Sequence, residues 1–366
     1  MAAPRKTLRK PEIPAGTRRR VQLEGASAPS SDEEPVNVSY FTSGADEKDL
    51  EFFSSGCALV DEILGGGYAL GRTSNIVGDK SAGKTLLAME GMANFALAFH
   101  DGAMRYAEAE DAFDERYAEA LGAPISRIEF NGKNPMATIE DWYNDLNRWM
   151  DSMKDRPGLY VVDSLDALSD SAEMERGFDE GTFGGNKPKQ IGKLFRMIND
   201  RMAQQRVHLM VVSQLRDKLG VTFGETKTRS GGKALDYYAS QIMWLAEIGK
   251  IKREINGIQR IVGVDVKARV KKNKVGLPFR ECEYPILFGY GIDDLQAMVS
   301  WLFDVKREEL LKGIGFSKNG YKVRINNIRN KGGEEARDMR TTLRALVRQE
   351  WAKIETDFLP HSRKYP

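Results

Sequence analysis

Gly78-Asp79-Lys80-Ser81-Ala82-Gly83-Lys84-Thr85 is the stretch on which the reading of the fold turns. It is a complete G-x-x-x-x-G-K-[ST] phosphate loop. Ser74-Asn75-Ile76-Val77 before it reads as a buried strand, and Leu86 to Leu97 after it is a run of mostly good helix formers. Strand, glycine loop and helix are the context the motif requires, and a chance glycine-rich surface turn would lack it. Glycines let backbone N–H groups wrap a polyphosphate, and the helix N-terminus adds the positive end of its dipole. Gly78, Asp79, Lys80, Ser81, Ala82 and Gly83 would form that cradle. Lys84 would reach the β- and γ-phosphates, and the Thr85 hydroxyl would hold Mg2+.

The chain has 366 residues, 41% hydrophobic and 30% charged, which allows one large or two ordinary domains with a substantial core. Net charge is only +2, so the whole-chain balance announces no polyanion partner. Cys57 and Cys282 lie far apart without a C-x-x-C pattern, and His100, His208 and His361 are scattered. Neither a disulfide framework nor a zinc site is indicated, and a reducing, cytoplasmic compartment fits best. No apolar run reaches the ~18 residues that span a bilayer, and the basic N-terminus lacks an apolar signal-peptide core.

Residues 1–45 read as a disordered tail. Met1 to Arg20 carries Arg5, Lys6, Arg9, Lys10, Arg18, Arg19 and Arg20 against Glu12 alone, and few large apolar residues are present to offset the entropy of ordering. A solvated tail and an arm on nucleic acid both fit. Ser54 to Gly67 has a cap-like start, a short amphipathic helix and a glycine stop. Beyond the phosphate loop, strands at 104–110, 127–130, 158–164 and 208–214 alternate with helices at 114–121, 138–153 and 189–205. Ile191, Leu194, Phe195, Ile198 and Met202 keep helical spacing and read as core. Apolar strands separated by helices predict a mostly parallel sheet covered on both faces. After Tyr238, strands at 241–248, 259–272 and 279–288 follow without helices between them, so antiparallel hairpins should extend one edge. From about 295 the texture changes. Helices read at 295–311 and 338–355, and residues 301–366 carry 15 Lys/Arg against 9 Asp/Glu. The organisation is thus a tail at 1–45, an α/β core at 46–295 and a small basic C-terminal α/β domain at 296–366.

Val161-Val162-Asp163 ends an apolar strand and fits the acid that holds Mg2+ beside a phosphate loop. Glu108 and Glu110 are two apart, hence on one face of a strand, and spacing alone leaves open which would activate water and whether either does. Gln214 ends the last parallel strand, where its amide can contact a γ-phosphate. The stretch from Arg216 to Lys233 has no secondary-structure signal and mixes cations, glycines and apolar side chains. That suits gripping a phosphate backbone and wedging between bases. A shorter loop, Glu173 to Gly185, follows the Asp163 strand. Lys272 and Lys274 point the same way and read either as a phosphate clamp or as a solvated strand edge.

The ordered set Ser54-Ser55-Gly56, Gly78–Thr85, Ala109 to Asp114, Val161 to Ser164, Ser213-Gln214-Leu215-Arg216, Gly231-Gly232 and Val270 to Lys274 resembles the RecA-type recombinases, phage-encoded UvsX-like members included. The resemblance covers about residues 50–295. It implies a RecA-like ATPase core with ATP and Mg2+ as cofactors. It places Glu110 rather than Glu108 at the water-activating position, Asp114 and Tyr117 at adenine, and Gln214 at the nucleotide-sensing position. It places 173–185, with Arg176, and 215–232, with Arg216, Lys218, Leu219, Phe223, Lys227, Arg229, Gly231 and Gly232, at the two DNA-binding loops. Lys272 and Lys274 fall where the family reaches across a filament interface to the neighbour's γ-phosphate. The chain departs from the pattern at Asp236, where a basic residue is expected, at Ser213 in place of Asn, in the Pro/Arg/Ser-rich tail that replaces an N-terminal packing helix, and in the C-terminal region.

The activity implied is a DNA-dependent ATPase coupled to strand exchange. It would form helical homo-oligomeric filaments on single-stranded DNA and pair them with double-stranded DNA. A single-strand-binding protein or mediator is an expected partner, a membrane is not, and the location is the cytoplasm, nucleoid or phage host. Rival readings are a hexameric helicase of the same fold and a non-exchanging RecA-like mediator.

Overall fold

A computed structural model describes residues 50–110, 113–131, 135–174, 186–217, 227–229 and 232–359. The tail expected at 1–45 lies outside them. In chain order the elements are β1 (Phe52–Phe53), α1 (Ala58–Leu64), β2 (Tyr68–Ala69), β3 (Thr73–Gly78), α2 (Lys84–Ala98), β4 (Ala103–Glu108), α3 (Glu115–Ala120), β5 (Ile128–Phe130), α4 (Ile139–Ser152), β6 (Gly158–Asp163), α5 (Ser171–Met174), α6 (Asn186–Gln204) and β7 (Val207–Asp217). There follow β8 (Lys227–Arg229), α7 (Gly232–Tyr238), β9 (Gln241–Ile255), β10 (Ile258–Asn273), β11 (Glu281–Leu287), β12 (Gly291–Ile292), α8 (Asp294–Asp304), α9 (Glu308–Gly313), α10 (Tyr321–Lys331) and α11 (Gly333–Asp357).

The large sheet runs β12-β11-β10-β9-β3-β7-β6-β4-β5, with β8 paired to β7. From β9 through β3, β7, β6 and β4 to β5 the pairing is parallel, and from β9 to β12 it is antiparallel. This is the architecture expected from the sequence: an α/β sheet, mostly parallel, with antiparallel strands at one edge.

The period of two explains why both faces are covered. Leu159 and Val161 of β6 pack with Met210 and Val212 of β7 and with α1 and α2 on one face. Tyr160 and Val162 pack with Leu209, Val211, α4 and α6 on the other. The five residues predicted as core on α6 lie in that second cluster. Helix α4 starts on a reciprocal capping box between Thr138 and Asp141, which satisfies two of the N–H groups a helix start leaves unbonded.

Three local expectations are corrected. First, the β9–β10 hairpin is longer than the strands read from periodicity, because Asn256-Gly257 turns it with both residues at positive φ, the two-residue turn matched to strand twist. Second, the helix read at 295–311 is two helices, α8 and α9, broken where Lys306 takes φ 60°. Third, the C-terminal segment was expected to be α/β, but among the described residues 294–359 contains helices only, and α10 was not anticipated. Its apolar residues, Leu302, Leu311, Ile325, Leu343 and Val347, belong to the same cluster as α1, α2 and β11. Arg344 of α11 clamps it further, donating to Asp294 Oδ2 at 3.1 Å and to the Gly56 carbonyl at 3.3 Å. Burial of Asp294 makes that ion pair costly to break from one side.

Candidate nucleotide-binding site

The phosphate loop leaves β3 at Gly78 and enters α2 at Lys84. Gly83 sits at φ 81°, in the left-handed region that favours glycine, and a side chain there would press on the tip of Ile286 of β11. Asp79, Lys80 and Ser81 are exposed, while Ala82 is buried. The Lys84 ammonium donates to the Asp79 carbonyl at 2.8 Å. Burial pulls its pKa down, against Asp163, Glu110, Asp166 and Asp79, which favour its charge.

Asp163 ends β6, two strands from β3, with β7 between them. The Thr85 hydroxyl donates to its Oδ2 at 2.7 Å and the Tyr106 hydroxyl at 2.8 Å. Burial raises the Asp163 pKa, and these two hydrogen bonds oppose the rise. Thr85 and Asp163 are thus two hard oxygen donors side by side, a donor set that fits Mg2+. No cluster of three or more His, Cys, Asp or Glu suited to a metal occurs among the described residues. Mg2+ needs none, since it commonly takes one or two protein oxygens and fills its octahedron from phosphate and water.

Glu110 lies beyond the end of β4, which stops at Glu108. The expectation that both acids share a strand face is therefore corrected. The Ala109 N–H makes the last rung of the β4–β6 ladder, bonded to the Asp163 carbonyl at 2.8 Å, and the backbone bends at Ala109 and Glu110. The two acids part company. Glu108 Oε1 accepts from the Phe113 N–H at 2.5 Å and its backbone is paired with Asn131. Glu110 Oε1 accepts from Ser164 Oγ and from Gln214 Nε2, the latter at 2.8 Å. The candidate base and the candidate sensor are thus in direct contact, 104 residues apart in sequence. Ser213, the departure from Asn, is buried and contacts Asn75 Nδ2 at 2.8 Å, where it helps fasten β7 to β3.

Asp114 caps α3, accepting from the Tyr117 N–H at 3.0 Å. Tyr117 is partly buried against the core, and burial raises its pKa. Sequence reasoning missed what closes this side. The turn between β11 and β12 folds over α2, where Glu90 accepts from the Ile292 N–H at 3.2 Å and Gly291 has no room for a side chain beside Leu121 and Glu90. Burial pushes Glu90 up to about 7. A separation of 202 residues leaves no sequence signal for this closure.

Arg176, Lys218, Leu219, Phe223 and Gly231 lie outside the described residues. The stretch beyond Gln214 is more regular than expected: Leu215, Arg216 and Asp217 pair antiparallel with Arg229, Thr228 and Lys227, and Gly232 opens α7. The 215–232 segment is therefore based on a two-strand hairpin grown from β7.

Lys272 and Lys274 do not face this site. Lys272 registers with Ile242, and Ile242 with Asn75, three residues before Gly78. That places Lys272 about 10 Å back along the strands and about 10 Å across them from its own phosphate loop. Instead Lys272 donates to the Asp236 carbonyl and to the Tyr237 carbonyl at 2.9 Å, and Lys274 to the Tyr237 carbonyl at 3.2 Å. Cations at a helix C-terminus are favoured by its dipole, and here both cap α7.

A family model for the RecA N-terminal domain matches residues 38–293. Protein RecA of Colwellia psychrerythraea is 32% identical over 278 residues, 75% of this chain and 76% of that protein. Protein RecA of Synechococcus sp. is 32% identical over 303 residues, 82% and 77% of the two chains. That of Nostoc punctiforme is 31% identical over 310 residues, 83% and 81%. The phosphate loop, the family model and the extended likeness to these relatives agree, and the chain belongs to the RecA family.

Proposed function

We propose that this RecA-family member, an ATP-dependent recombinase and DNA-dependent ATPase, polymerises on single-stranded DNA as a helical filament and hydrolyses ATP at the joint between subunits. The observation that carries the reading is the contact of Glu110 with both Ser164 and Gln214 beside the Thr85–Asp163 pair. When bound, Mg2+ would offset the charge of the phosphates, held by Thr85 and Asp163. Gly78 to Gly83 cradle the phosphates and Lys84 neutralises them. Glu110 orients and deprotonates the attacking water. Gln214 exchanges its bond to Glu110 for one to the γ-phosphate, and the β7–β8 hairpin that follows it carries the change to the 215–232 segment. Asp114 and Tyr117 border the adenine.

Lys272 and Lys274 serve the neighbouring subunit's triphosphate, which accounts for cations held out of reach of their own loop. Residues 173–185 and 215–232 bind DNA, and 1–45 and 296–366 are accessory to the 46–295 core. Among the described residues no helix is long and apolar enough to cross a membrane. A cytoplasmic protein that meets single- and double-stranded DNA and a single-strand-binding or mediator protein fits the family.

The test is ATP turnover with and without single-stranded DNA, together with negative-stain images in a non-hydrolysable ATP analogue. Stimulation with helical filaments is expected. Closed rings would favour the helicase, and turnover indifferent to DNA would favour the mediator.

A further inference from the structure

The turn that follows β6, Ser164 to Ala167, fastens Glu110 and, at two points, β7. Ser164 Oγ donates to Glu110. The Leu165 N–H donates to the Val212 carbonyl at 3.0 Å. Asp166 Oδ2 accepts from the Gln214 N–H at 2.6 Å. The last β6–β7 pair in the ladder is Val162 with Val211, so β7 runs on past the end of its neighbour. On that side no strand remains to accept the Gln214 N–H, and the Asp166 carboxylate takes the place of the missing carbonyl. A hydrogen bond to a carboxylate is shorter and stronger than one to a neutral acceptor. The Asp166 backbone has a second attachment: its carbonyl accepts from Lys187 Nζ at 3.3 Å, in the first turn of α6.

We propose that Asp166 is a positioning residue for the reaction. Its carboxylate fixes the backbone of Gln214 so that the side-chain amide reaches Glu110, and it holds β7 rigid at the point where the β7–β8 hairpin begins. It acts through Gln214, and its removal should uncouple the hairpin from the nucleotide site while leaving the phosphate loop intact. The proposal rests on the recombinase reading for Gln214's role, though not for the bond itself. Asp166→Asn keeps an acceptor for the Gln214 N–H, whereas Asp166→Ala removes it.

The experiment combines steady-state ATP turnover with and without single-stranded DNA, binding of a fluorescent ATP analogue, and amide hydrogen exchange of a peptide covering Gln214. For Asp166→Ala the expected result is a fall in DNA-stimulated kcat of about tenfold or more, with KM for ATP and analogue affinity within about twofold of wild type. Exchange at Gln214 should be faster. Asp166→Asn should restore most of kcat and of the protection. Wild-type turnover and protection in Asp166→Ala would overturn the proposal. So would loss of analogue binding in both variants, since that marks damage to the phosphate loop. If wild type itself shows no DNA stimulation but Asp166→Ala still deprotects Gln214, the positioning role stands and the recombinase reading falls.

Discussion

The parallel half of the sheet and its antiparallel half carry opposite kinds of site. At the carboxyl ends of β3, β6 and β7 the polar side chains are wired to one another: Thr85 to Asp163, Tyr106 to Asp163, Gln214 to Glu110. At the far end of β10, Lys272 and Lys274 donate to backbone carbonyls of α7 and lie away from the chain's own phosphate loop. One half is prearranged within a single chain. The other presents cations that the folded monomer parks on a helix end. The difference teaches that one fold can wire some polar side chains to one another and hold others against backbone carbonyls, which is what the proposed sharing of a site between subunits requires. The strands that carry the acids end beside the phosphate loop, and the strand that carries the lysines runs antiparallel past that level and places them about 10 Å back.

Changes in the prearranged half should cost most. Lys84→Ala is expected to lower ATP turnover by about a thousandfold and to weaken binding of a fluorescent ATP analogue, because Lys84 is the cation that the phosphate loop itself brings to the β- and γ-phosphates. Normal DNA-stimulated turnover in that variant would break the assignment of the loop. Glu110→Gln should leave analogue binding near wild type and slow turnover by about 10²–10³-fold, the usual worth of a positioned general base. Glu108→Gln, in the acid that instead serves the Phe113 N–H, should do much less to turnover.

Lys272→Ala sharpens the comparison directly. DNA-stimulated turnover should fall by about tenfold to a hundredfold, while the affinity of the isolated monomer for nucleotide stays unchanged. A monomer that no longer binds ATP would mean that the lysine acts within its own subunit.

A last effect falls on stability rather than turnover and concerns the fold beneath the parallel half. His208 is fully buried, with Nε2 2.8 Å from Ser74 Oγ and Nδ1 2.7 Å from the Ala69 carbonyl, and burial lowers its pKa to about 4. The unfolded chain then binds the proton more readily between about pH 6.5 and pH 4, so this contribution to stability is full above that window and is lost as pH falls through it. The loss amounts to about 3 kcal/mol. Glu62 and Glu90, both pushed up to about 7 by burial, work the other way in the same window, since the folded state holds their protons more tightly. Urea unfolding of wild type and His208→Gln at several pH values isolates the histidine, because the glutamates cancel in the difference.

Much of the crevice was legible in order along the chain. Glycine spacing announces the phosphate loop, and Asp163 announces itself as the acid that closes an apolar strand. Strand periodicity failed at Glu110, because the strand ends at Glu108 and the backbone bends at Ala109 and Glu110. It also stopped the β9 strand at Ile248, because the exposed arm that follows, Lys250 to Ile261, has no apolar alternation, whereas the Asn256-Gly257 turn signal was present and went unread. Asp166 was overlooked for another reason. Its task is to replace a strand carbonyl, and nothing local marks a residue that compensates for the end of a ladder.

By itself the sequence determined the identity of the chemistry. A triphosphate cradle depends on glycines and a lysine at fixed local spacing, and a parallel sheet depends on apolar strands separated by helices, both written in neighbouring residues. Only the tertiary structure decided which acid meets Gln214, what closes the site over Gly83, and where Lys272 and Lys274 are held. Those depend on strand order and register, which bring together residues from 35 to 202 positions apart and are set by packing across the whole sheet.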